Sequence, residues 1–413
     1  MSITPPPGLP LDLHGTEFLE DPAPTLAWLR EHDPVHHSAH GYWLLTRYDD
    51  VAAAFRDPSL SSEWTKRHAV RGTAAPQRAT PADDLGRAQA IVLSSFNMKD
   101  DPDHGRVRRL VQQAFTRSAV DQRRDRIDDL VTELLDAGTA ADSFDLVTEL
   151  AFPLTITVAS EMIGLPASLR DRFRASFEDT ERLGDPTATD EQRQAGRDAL
   201  VWQLGVIADV VADRRANPGD DLVTALVQAE EAGEVLTSDE IMAALLTMYT
   251  AAGTTTERMI SSGMLLLLRH PEQWAMLLAD PGLMSGTVTE ILRYHHPNQQ
   301  TTTARLALTD VVYGGRTIPA GATVRLGLGA ANRDPARWPD PERFDITRPE
   351  LVSLAFGQGA HYCIGAPLAR VQAIAAFTAL VERCPAIALA RGEIRHDPRR
   401  MDRYERVVVT TRG

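Results

Sequence analysis

The stretch Phe356–Arg370 constrains this chain more than any other, because it places a rare residue between glycines just before a helical pattern. It reads FGQGAHYCIGAPLAR and holds Cys363, one of two cysteines among 413 residues. Glycines allow a turn to bring its backbone close to something flat and bulky. From Leu368 onward, apolar residues recur at helical spacing, so we expect Cys363 at or near a helix N-terminus. The helix dipole and free N–H groups there stabilise a thiolate.

The surroundings of Cys363 argue against a zinc or iron–sulfur site, because no second cysteine or histidine stands at CxxC spacing. A buried core cysteine in a glycine-rich turn is the structural alternative. That alternative would not require phenylalanine, histidine and two glycines at fixed offsets. The other cysteine, Cys384, precedes Pro385 at a predicted helix end, and we interpret it as an inert buried thiol.

The pattern F-x-x-G-x-H-x-C-x-G-x-x-L-A, from Phe356 to Ala369, resembles the haem-binding signature of the cytochrome P450 family at every defining position. The resemblance implies that Cys363 is the axial thiolate ligand of the iron of haem b. Phe356 would shield the sulfur, and His361 would anchor a haem propionate. The haem-binding residues implied in this stretch are Phe356, Gly357, His361, Cys363 and Gly365.

Three cations elsewhere match positions that hold haem propionates in the family. His104 and Arg108 stand four residues apart in a predicted N-capped helix start, hence on one face. A neighbouring pair of donors suits a carboxylate, although an isolated HxxxR is more often a solvated basic face. Beside the cysteine signature, the resemblance implies propionate binding by this pair and by Arg305.

A long helix is predicted from Ser238, as its cap, to about Arg269. At about 1.5 Å per residue, such a helix crosses a whole domain. Midway, Gly253 is followed by three threonines, which are poor helix formers. A local conflict of this kind in a buried helix tends to mark function.

This stretch resembles the family's oxygen-binding groove on helix I. The resemblance implies that Gly253, beside Ala252, opens the helix and that Thr256 hydrogen-bonds oxygen. Thr255 departs from the family, in which Asp or Glu is usual at that position. Glu257 lies about 100° further round the helix than Thr256, so it need not face the groove.

Glu290 and Arg293 lie three residues apart on one face of a predicted helix. Alone, such a pair is most often surface decoration worth little. The resemblance implies an inward-facing structural pair on the family's helix K, with a third partner in the meander that follows. Arg343 is our candidate for that partner.

The substrate pocket is predicted from position in the family. The loop 62–97 and the segment 297–305 line the pocket there, a lid corresponds to residues 178–196, and the tip of the last hairpin reaches into the same pocket. The residues we assign to the pocket are Phe96, Met248, Gln299, Gln300, Thr301, Thr302 and Met401.

The resemblance covers the chain from about residue 20 to its end and implies a mainly α-helical fold with small β-sheets. In that fold a triangular helical domain holds haem between helices I and L. No linker or internal repeat divides the sequence, so we predict a single domain over residues 1–413. Local patterns predict a strand at 42–46, a helix at 48–55 capped by Asp49 or Asp50, and a hairpin turn at Gly314–Gly315.

Composition limits the class of partner and compartment. The formal net charge of -14 disfavours nucleic acid as a partner. The N-terminus has neither the basic nor the apolar region of a signal peptide, and no apolar run reaches membrane-spanning length. We therefore predict a soluble, cytoplasmic monomer without membrane partners.

The activity implied by the resemblance is that of a haem-thiolate monooxygenase, which uses O₂ and two electrons to oxidise a small organic molecule in specialised metabolism. The electrons are expected from a ferredoxin and its reductase, docking at arginines such as Arg109, Arg117 and Arg370. Two alternatives remain open. One is oxidative coupling of substrates without oxygen insertion. The other is a haem-binding sensor or transport protein without turnover, which would need no threonine in a helix I groove.

Overall fold

Helices dominate the fold, as predicted. The computed structural model describes residues 5–6, 8–73, 83–184, 188–219, 221–231, 236–349, 352–397 and 403–411. Its α-helices are α1 (Thr16–Glu20), α2 (Ala23–His32), α3 (Tyr48–Ala54), α4 (Arg67–Val70), α5 (Asp84–Leu93), α6 (Asp103–Val111), α7 (Arg117–Asp121), α8 (Arg124–Gly138), α9 (Phe152–Met162), α10 (Arg170–Glu181), α11 (Asp190–Ala216), α12 (Leu222–Glu231), α13 (Ser238–Arg269), α14 (Pro271–Ala279), α15 (Met284–Tyr294), α16 (Leu328–Ala331) and α17 (Ala366–Arg383).

Short strands form three small sheets in the part of the chain that the structure describes. The strands are β1 (Val35–His37), β2 (Tyr42–Leu45), β3 (Leu60–Ser61), β4 (Ser143–Asp145), β5 (Arg305–Ala307), β6 (Val311–Tyr313), β7 (Arg316–Ile318), β8 (Thr323–Leu326), β9 (Ala388–His396) and β10 (Tyr404–Thr410). The first sheet has the order β1-β2-β8-β5-β3, in which only β2 and β8 run parallel. The order β4-β10-β9 forms a second, antiparallel sheet, and the hairpin β6-β7 forms the third. The predicted strand at 42–46 and the Gly314–Gly315 hairpin are confirmed.

The chain divides into two compact units. Unit 1 comprises residues 1–73, 122–154 and 255–413, and unit 2 comprises residues 74–121 and 155–254. Unit 1 contains all three sheets, the cysteine signature and the second half of α13. Unit 2 contains α5 to α7, most of α9 and all of α10 to α12. The single domain expected from the sequence stays a prediction.

The five-stranded sheet of unit 1 packs one face into an apolar core. Val35, Leu45, Val324 and Leu326 come from three neighbouring strands, and each is at most 1% exposed. Because β-branched and leucine side chains fit a pleated, half-buried surface, this face holds the sheet against α3.

The start of α3 corrects the capping that the sequence suggested. Neither Asp49 nor Asp50 caps the helix; instead the N–H of Tyr48 donates to the carboxylate of Asp334 at 2.8 Å. Asp49 and Asp50 lie inside the first helical turn, where acidic side chains complement the helix dipole. The helix N-terminus is therefore fixed by a residue 286 positions away.

The long helix α13 is confirmed over its predicted length, but Ser238 is not its cap. Thr237 caps it: the N–H of Glu240 donates to the Thr237 hydroxyl at 3.2 Å, and the N–H of Thr237 donates to the Glu240 carboxylate at 3.0 Å. This reciprocal pair is a capping box, which satisfies two N–H groups at the helix start. Within the described residues, none of the helices is both long and apolar enough to span a membrane.

Candidate functional site

The cysteine loop, residues 356–365, leads directly into α17. Cys363 is exposed and lies three residues before Ala366, the first residue of that helix. The N–H of Cys363 donates to the carbonyl of Phe356 at 2.8 Å, which closes the loop on itself. The predicted position of this thiol near a helix N-terminus is confirmed. Cys384 is 2% exposed, and burial raises the pKa of its thiol.

Two glycines of the cysteine loop are required by both backbone and space. Gly357 and Gly359 have φ angles of 69° and 70°, which side-chain-bearing residues rarely adopt. A Cβ at Gly357 would lie 3.1 Å from the Phe55 ring, and one at Gly359 would lie 2.9 Å from the Phe55 carbonyl oxygen. The loop is therefore seated tightly on the end of α3.

An aromatic and cationic cluster borders the loop in unit 1. The guanidinium of Arg370 lies 5.2 Å from the centre of the Phe356 ring and donates to the Thr289 hydroxyl at 2.9 Å. The ring of Tyr362, which is 45% exposed, lies 6.3 Å from that of Phe356. Burial of the rest of the Tyr362 side chain raises the pKa of its hydroxyl. This cluster fixes the Phe356 ring, which the resemblance assigns to shielding the sulfur.

Unit 1 holds two of the predicted propionate ligands. Arg305 lies on β5 and is only 6% exposed. His361 ends a 3₁₀ turn within the cysteine loop, and its Nε2 lies 3.2 Å from the hydroxyl of Ser62. Arg305 is therefore held by a strand of the sheet, and His361 is held by the cysteine loop.

Unit 2 holds the other two predicted propionate ligands, His104 and Arg108, both on α6. His104 is 1% exposed, with its Nδ1 3.4 Å from the Asp101 carboxylate and its ring 6.2 Å from that of Phe96. Arg108 lies one turn further along α6 and lines a shallow cleft of about 330 Å³. The residues that line this cleft come from α6 and the turn after it: Gly105, Arg108, Arg109, Gln112, Gln113 and Thr116.

The threonine stretch lies within an unbroken α-helix. The helix runs from Ser238 to Arg269 without a change of type at Gly253, whose lack of a side chain instead permits close packing. A Cβ there would lie 2.9 Å from the Ile156 side chain, and the Gly253 carbonyl accepts a hydrogen bond from the Thr155 hydroxyl at 2.9 Å. Local sequence patterns could not predict this contact, because it joins residues 98 positions apart.

Further along α13, Thr256 is 3% exposed and Thr255 is half-buried, as is Ala252. Glu257 is 2% exposed, and its carboxylate accepts a hydrogen bond from Ser261 at 3.0 Å, one turn along the same helix. This carboxylate thus accepts a hydrogen bond from its own helix, and whether it faces the groove stays a prediction.

Glu290 and Arg293 form a buried pair, at 3% and 1% exposure. The guanidinium donates to both carboxylate oxygens, at 2.7 and 2.8 Å, so the pair is bidentate. The assignment of Arg343 as third partner is wrong: its side chain is 63% exposed and lies 3.5 Å from Asp345. Arg348 takes that place, with its Nε 3.4 Å from Glu290, while Arg343 contributes only a backbone carbonyl, which accepts from Arg293.

The predicted pocket residues fall into both units. In unit 2, Phe96 and Met248 are buried. In unit 1, Gln299 is 8% exposed and its amide oxygen occupies the space that a Cβ at Gly329 would need. The Thr301 hydroxyl accepts from the Leu326 N–H at 3.3 Å.

Gln300 is half-buried and Thr302 is exposed. Met401 lies outside the described residues. The pocket role of all seven candidates stays a prediction.

The donor set fits a haem and does not fit a free metal ion. Within the described ranges, no group of three or more His, Cys, Asp or Glu side chains could hold an ion. One exposed thiol at a helix N-terminus could supply the single protein ligand that haem iron needs. A mainly helical fold with this loop is therefore compatible with a haem-thiolate protein.

Comparisons with known proteins agree. Residues 203–398 match the family model described as cytochrome P450. The cytochrome P450 monooxygenase PikC of Streptomyces venezuelae is 39% identical over 391 residues, which cover 93% of this chain and 89% of that protein. The 6-deoxyerythronolide B hydroxylase of Saccharopolyspora erythraea is 36% identical, over 92% of both chains. The solved structure of the Bacillus subtilis bacillaene polyketide synthase cytochrome P450 PksS superposes with a TM-score of 0.85 at 32% identity, covering 97% of this chain and 99% of that one.

The chain belongs to the cytochrome P450 family. It is an oxidoreductase of the monooxygenase type, with a haem cofactor and O₂ as co-substrate. Family membership confirms the fold class expected from the sequence, whereas the roles of the individual site residues stay predictions.

Proposed function

We propose that this enzyme binds haem b and inserts one oxygen atom into a small organic molecule of specialised metabolism, using two electrons from a ferredoxin. The haem iron, when bound, would activate O₂, so that substrate, O₂, two electrons and two protons give hydroxylated product and water. The observation that carries the proposal is the cysteine loop. Its exposed Cys363 thiol stands at the N-terminus of α17, on a turn that only glycines at 357 and 359 allow.

The proposed cofactor ligands divide by role. Cys363 would bind the iron, with Gly357, Gly365 and the Phe356 ring shaping its surroundings. His104, Arg108, Arg305 and His361 would hold the propionates, because guanidinium and imidazole donors form strong, charge-assisted hydrogen bonds to carboxylates. The rigid placement of Arg305 on β5 and of His104 inside α6 supports this assignment.

The proposed proton route runs along α13. The Thr256 hydroxyl can both donate and accept a hydrogen bond and would steady protons beside the reacting oxygen. Thr255 can relay a hydrogen bond but cannot titrate near neutral pH, so water or substrate would complete the route. Gly253 and Ala252 mark the point at which the resemblance implies that the helix opens toward oxygen, whereas the Cβ position of Gly253 itself faces Ile156.

The substrate class we propose is a polyketide-type metabolite. The named activity of one relative is hydroxylation of 6-deoxyerythronolide B, and another relative bears the name of a polyketide synthase P450. Within unit 1, the pocket candidates at 299–302 are glutamines and threonines, whose hydrogen-bonding groups suit an oxygen-rich carbon skeleton.

Oxidative coupling is the second candidate, which the residues of α13 leave open. Two hydrogen atoms leave the substrates as the new bond forms, and together with two electrons and two protons they reduce O₂ to two molecules of water, so no oxygen enters the product. Thr255 stands where the family usually has an acid, and it bears on the proton supply of both reactions alike.

Product labelling with ¹⁸O₂ distinguishes the two. Substrates are first found by screening polyketides for a shift of the haem Soret band, then turned over with ferredoxin, its reductase and ¹⁸O₂. Monooxygenation predicts one ¹⁸O atom per product molecule. A joined product without ¹⁸O would establish coupling instead. Spectral shifts without any oxidised product would overturn both monooxygenation and coupling, and a haem-binding sensor would remain as the alternative.

A further inference from the structure

A buried histidine just after α15 is hydrogen-bonded to the start of the cysteine loop, within unit 1. His296 is 3% exposed, and its Nε2 donates to the carbonyl of Ala355 at 2.6 Å. Ala355 directly precedes Phe356, where the cysteine loop begins. A buried side chain therefore holds the backbone at the point where the chain enters that loop.

The partner of Nε2 determines that this nitrogen carries a hydrogen, since a carbonyl oxygen can only accept. The other ring nitrogen, Nδ1, lies against the backbone of Asn298: it faces the Asn298 N–H at 2.9 Å and also contacts the Asn298 carbonyl oxygen. A neutral ring accepts from the N–H, whereas a protonated ring would donate to the carbonyl. Nε2 keeps its hydrogen in either state, so the bond to Ala355 does not depend on the charge of the ring.

Two hydrogen bonds of the cysteine loop have their acceptors on either side of Ala355. The N–H of Gly357 donates to the carbonyl of Leu354 at 2.9 Å, and the N–H of Cys363 donates to the carbonyl of Phe356 at 2.8 Å. Because Ala355 lies between these two acceptors, a movement of its peptide displaces both. The bond from the histidine ring therefore supports the hydrogen bonds that shape the loop around the thiol.

The segment 296–298 also contacts α13 within the same unit. Arg258 is 6% exposed, and its guanidinium donates to the carbonyl of Pro297 and to the side-chain oxygen of Asn298, at 3.4 Å each. Arg258 stands two residues after Thr256 on that helix. The segment thus joins the helix of the threonine stretch to the start of the cysteine loop.

We propose that His296 is a positioning residue for the thiolate ligand: by fixing the Ala355 carbonyl, its imidazole holds the cysteine loop in the shape that presents Cys363. This role rests on the proposed function, in which Cys363 binds the haem iron. His296 is assigned no contact with haem or substrate, and it acts only through the backbone that precedes Phe356.

Two substitutions separate the two ends of the ring. In His296→Gln, the side-chain N–H₂ group can take the place of Nε2 and still donate to Ala355. In His296→Asn, the shorter side chain reaches only the place of Nδ1, so the Asn298 N–H keeps an acceptor while the bond to Ala355 is lost. Both variants remove the ring, so a difference between them reports the bond to Ala355.

Gln273→Leu is the matched control in unit 1. Gln273 is 5% exposed and accepts from the N–H of Ile346 at 2.9 Å, so this change also removes a buried bond from a side chain to a distant backbone group, but away from the cysteine loop. Should His296→Asn fail to fold, His296→Met takes its place, because methionine fills the space of the ring without a donor.

The direct readout is hydrogen–deuterium exchange of the haem-loaded protein, followed by mass spectrometry on peptides that span residues 354–363. In His296→Asn the N–H groups of Gly357 and Cys363 should exchange about two- to tenfold faster than in the wild type, the range that one hydrogen bond accounts for. His296→Gln and Gln273→Leu should match the wild type. Wild-type protection in His296→Asn, or an equal loss of protection in His296→Gln, would overturn the proposal.

The spectroscopic readout is the decay rate of the long-wavelength Soret band of the reduced carbon monoxide complex. His296→Asn should lose the band about two- to tenfold faster than the wild type, because a loosened loop lets the sulfur leave the iron. His296→Gln and Gln273→Leu should decay at the wild-type rate. Faster amide exchange with an unchanged decay rate would show that His296 has only a structural role, and would overturn the proposal.

The band of Cys363→Ser separates this inference from the proposed function. If that variant keeps the band, the proposed iron ligand is wrong, and the positioning role of His296 fails with it. If Cys363→Ser loses the band while His296→Asn behaves as the wild type in both readouts, only the role of His296 fails.

Discussion

At the scale of single residues, the threonine pair at 255 and 256 is the feature that most needs a chemical explanation. Thr256 is buried on α13, while the half-buried residue beside it is a threonine where the family usually has an acid. Glu257 offers a carboxylate nearby, but that carboxylate accepts a hydrogen bond from Ser261 on its own helix. The hydroxyl of Thr256 is therefore the group we expect to manage protons.

Thr256→Ala should uncouple the enzyme and raise the peroxide released per electron several-fold, because the hydroxyl that steadies the proton is lost. Thr255→Asp should be tolerated, since the family accommodates a carboxylate at that position. Peroxide and product yields measured per NAD(P)H consumed check both variants. Unchanged coupling in Thr256→Ala, together with lost turnover in Glu257→Gln, would show that Glu257 is the true proton source.

Arg348 is a residue whose role comes from the structure alone. Its guanidinium reaches the buried Glu290 carboxylate and is itself 11% exposed. Arg348→Ala should lower the free energy of unfolding by about 2 kcal/mol, since a hydrogen bond to a buried charge is lost. Arg343→Ala is the control and should change it by less than about 0.5 kcal/mol, because its ion pair is exposed to solvent. Urea unfolding measures this free energy for both variants. A larger loss in Arg343→Ala than in Arg348→Ala would reverse our assignment.

At the scale of elements, the start of α13 is tied to α6 by a charge cluster within unit 2. Glu240 accepts hydrogen bonds from Arg106 at 2.6 Å and from Lys99 at 3.1 Å, besides capping the helix at Thr237. Burial alone would raise the pKa of this carboxyl, but the bonds from Arg106, Thr237 and Lys99 outweigh it and lower the pKa from 4.5 to about 2.

A lowered pKa means that the ionised form stabilises the fold above the unfolded-state value and that this stability is lost as pH falls toward 2. Glu240→Gln should therefore cost about 3 kcal/mol of unfolding free energy at pH 7, the equivalent of the shift in pKa. The difference from wild type should shrink steadily below about pH 4.5. Denaturant unfolding at several pH values measures it, with Asp103→Asn, an exposed partner of Arg106, as control. A difference that does not vary with pH would contradict the assignment.

Elements with strong local signals could be predicted from the sequence. The cysteine loop, the length of α13 and the β6-β7 hairpin all follow from patterns among residues that are near one another in the sequence. Contacts between distant segments could not be predicted in this way. Asp334 capping α3, Arg348 replacing Arg343, and Thr155 reaching Gly253 each join segments whose proximity only the folded chain creates. The opening of the helix at Gly253, which the resemblance implies, stays a prediction. The three threonines after it are poor helix formers by propensity, yet they lie within the continuous helix α13.

At the scale of the whole molecule, the proposed electron supply from a ferredoxin concerns the distribution of surface charge. The chain carries a net charge of -14, yet α6 and α7 expose Arg109 and Arg117. Arg370 of unit 1 is less available, since it is bound to Thr289 and lies over Phe356. We therefore propose Arg109 and Arg117 as the main contacts for an acidic ferredoxin.

Association with ferredoxin should weaken as salt is added, because exposed charges are screened beyond about 10 Å at 0.1 M. Arg109→Glu should slow reduction of the enzyme at low salt, whereas Arg395→Glu, an exposed arginine on β9, should not. Stopped-flow reduction rates across ionic strength test this. Rates that are insensitive to salt would argue against docking at these arginines.

The central claim is that Cys363 binds haem iron as a thiolate. The most direct measurement is the absorption spectrum of the reduced protein under carbon monoxide, in which thiolate ligation gives a characteristic long-wavelength Soret band. Cys363→Ser should abolish that band, and Cys384→Ser, which alters only a buried thiol, should leave it intact. A band that survives Cys363→Ser, or one that is lost in Cys384→Ser, would contradict the account.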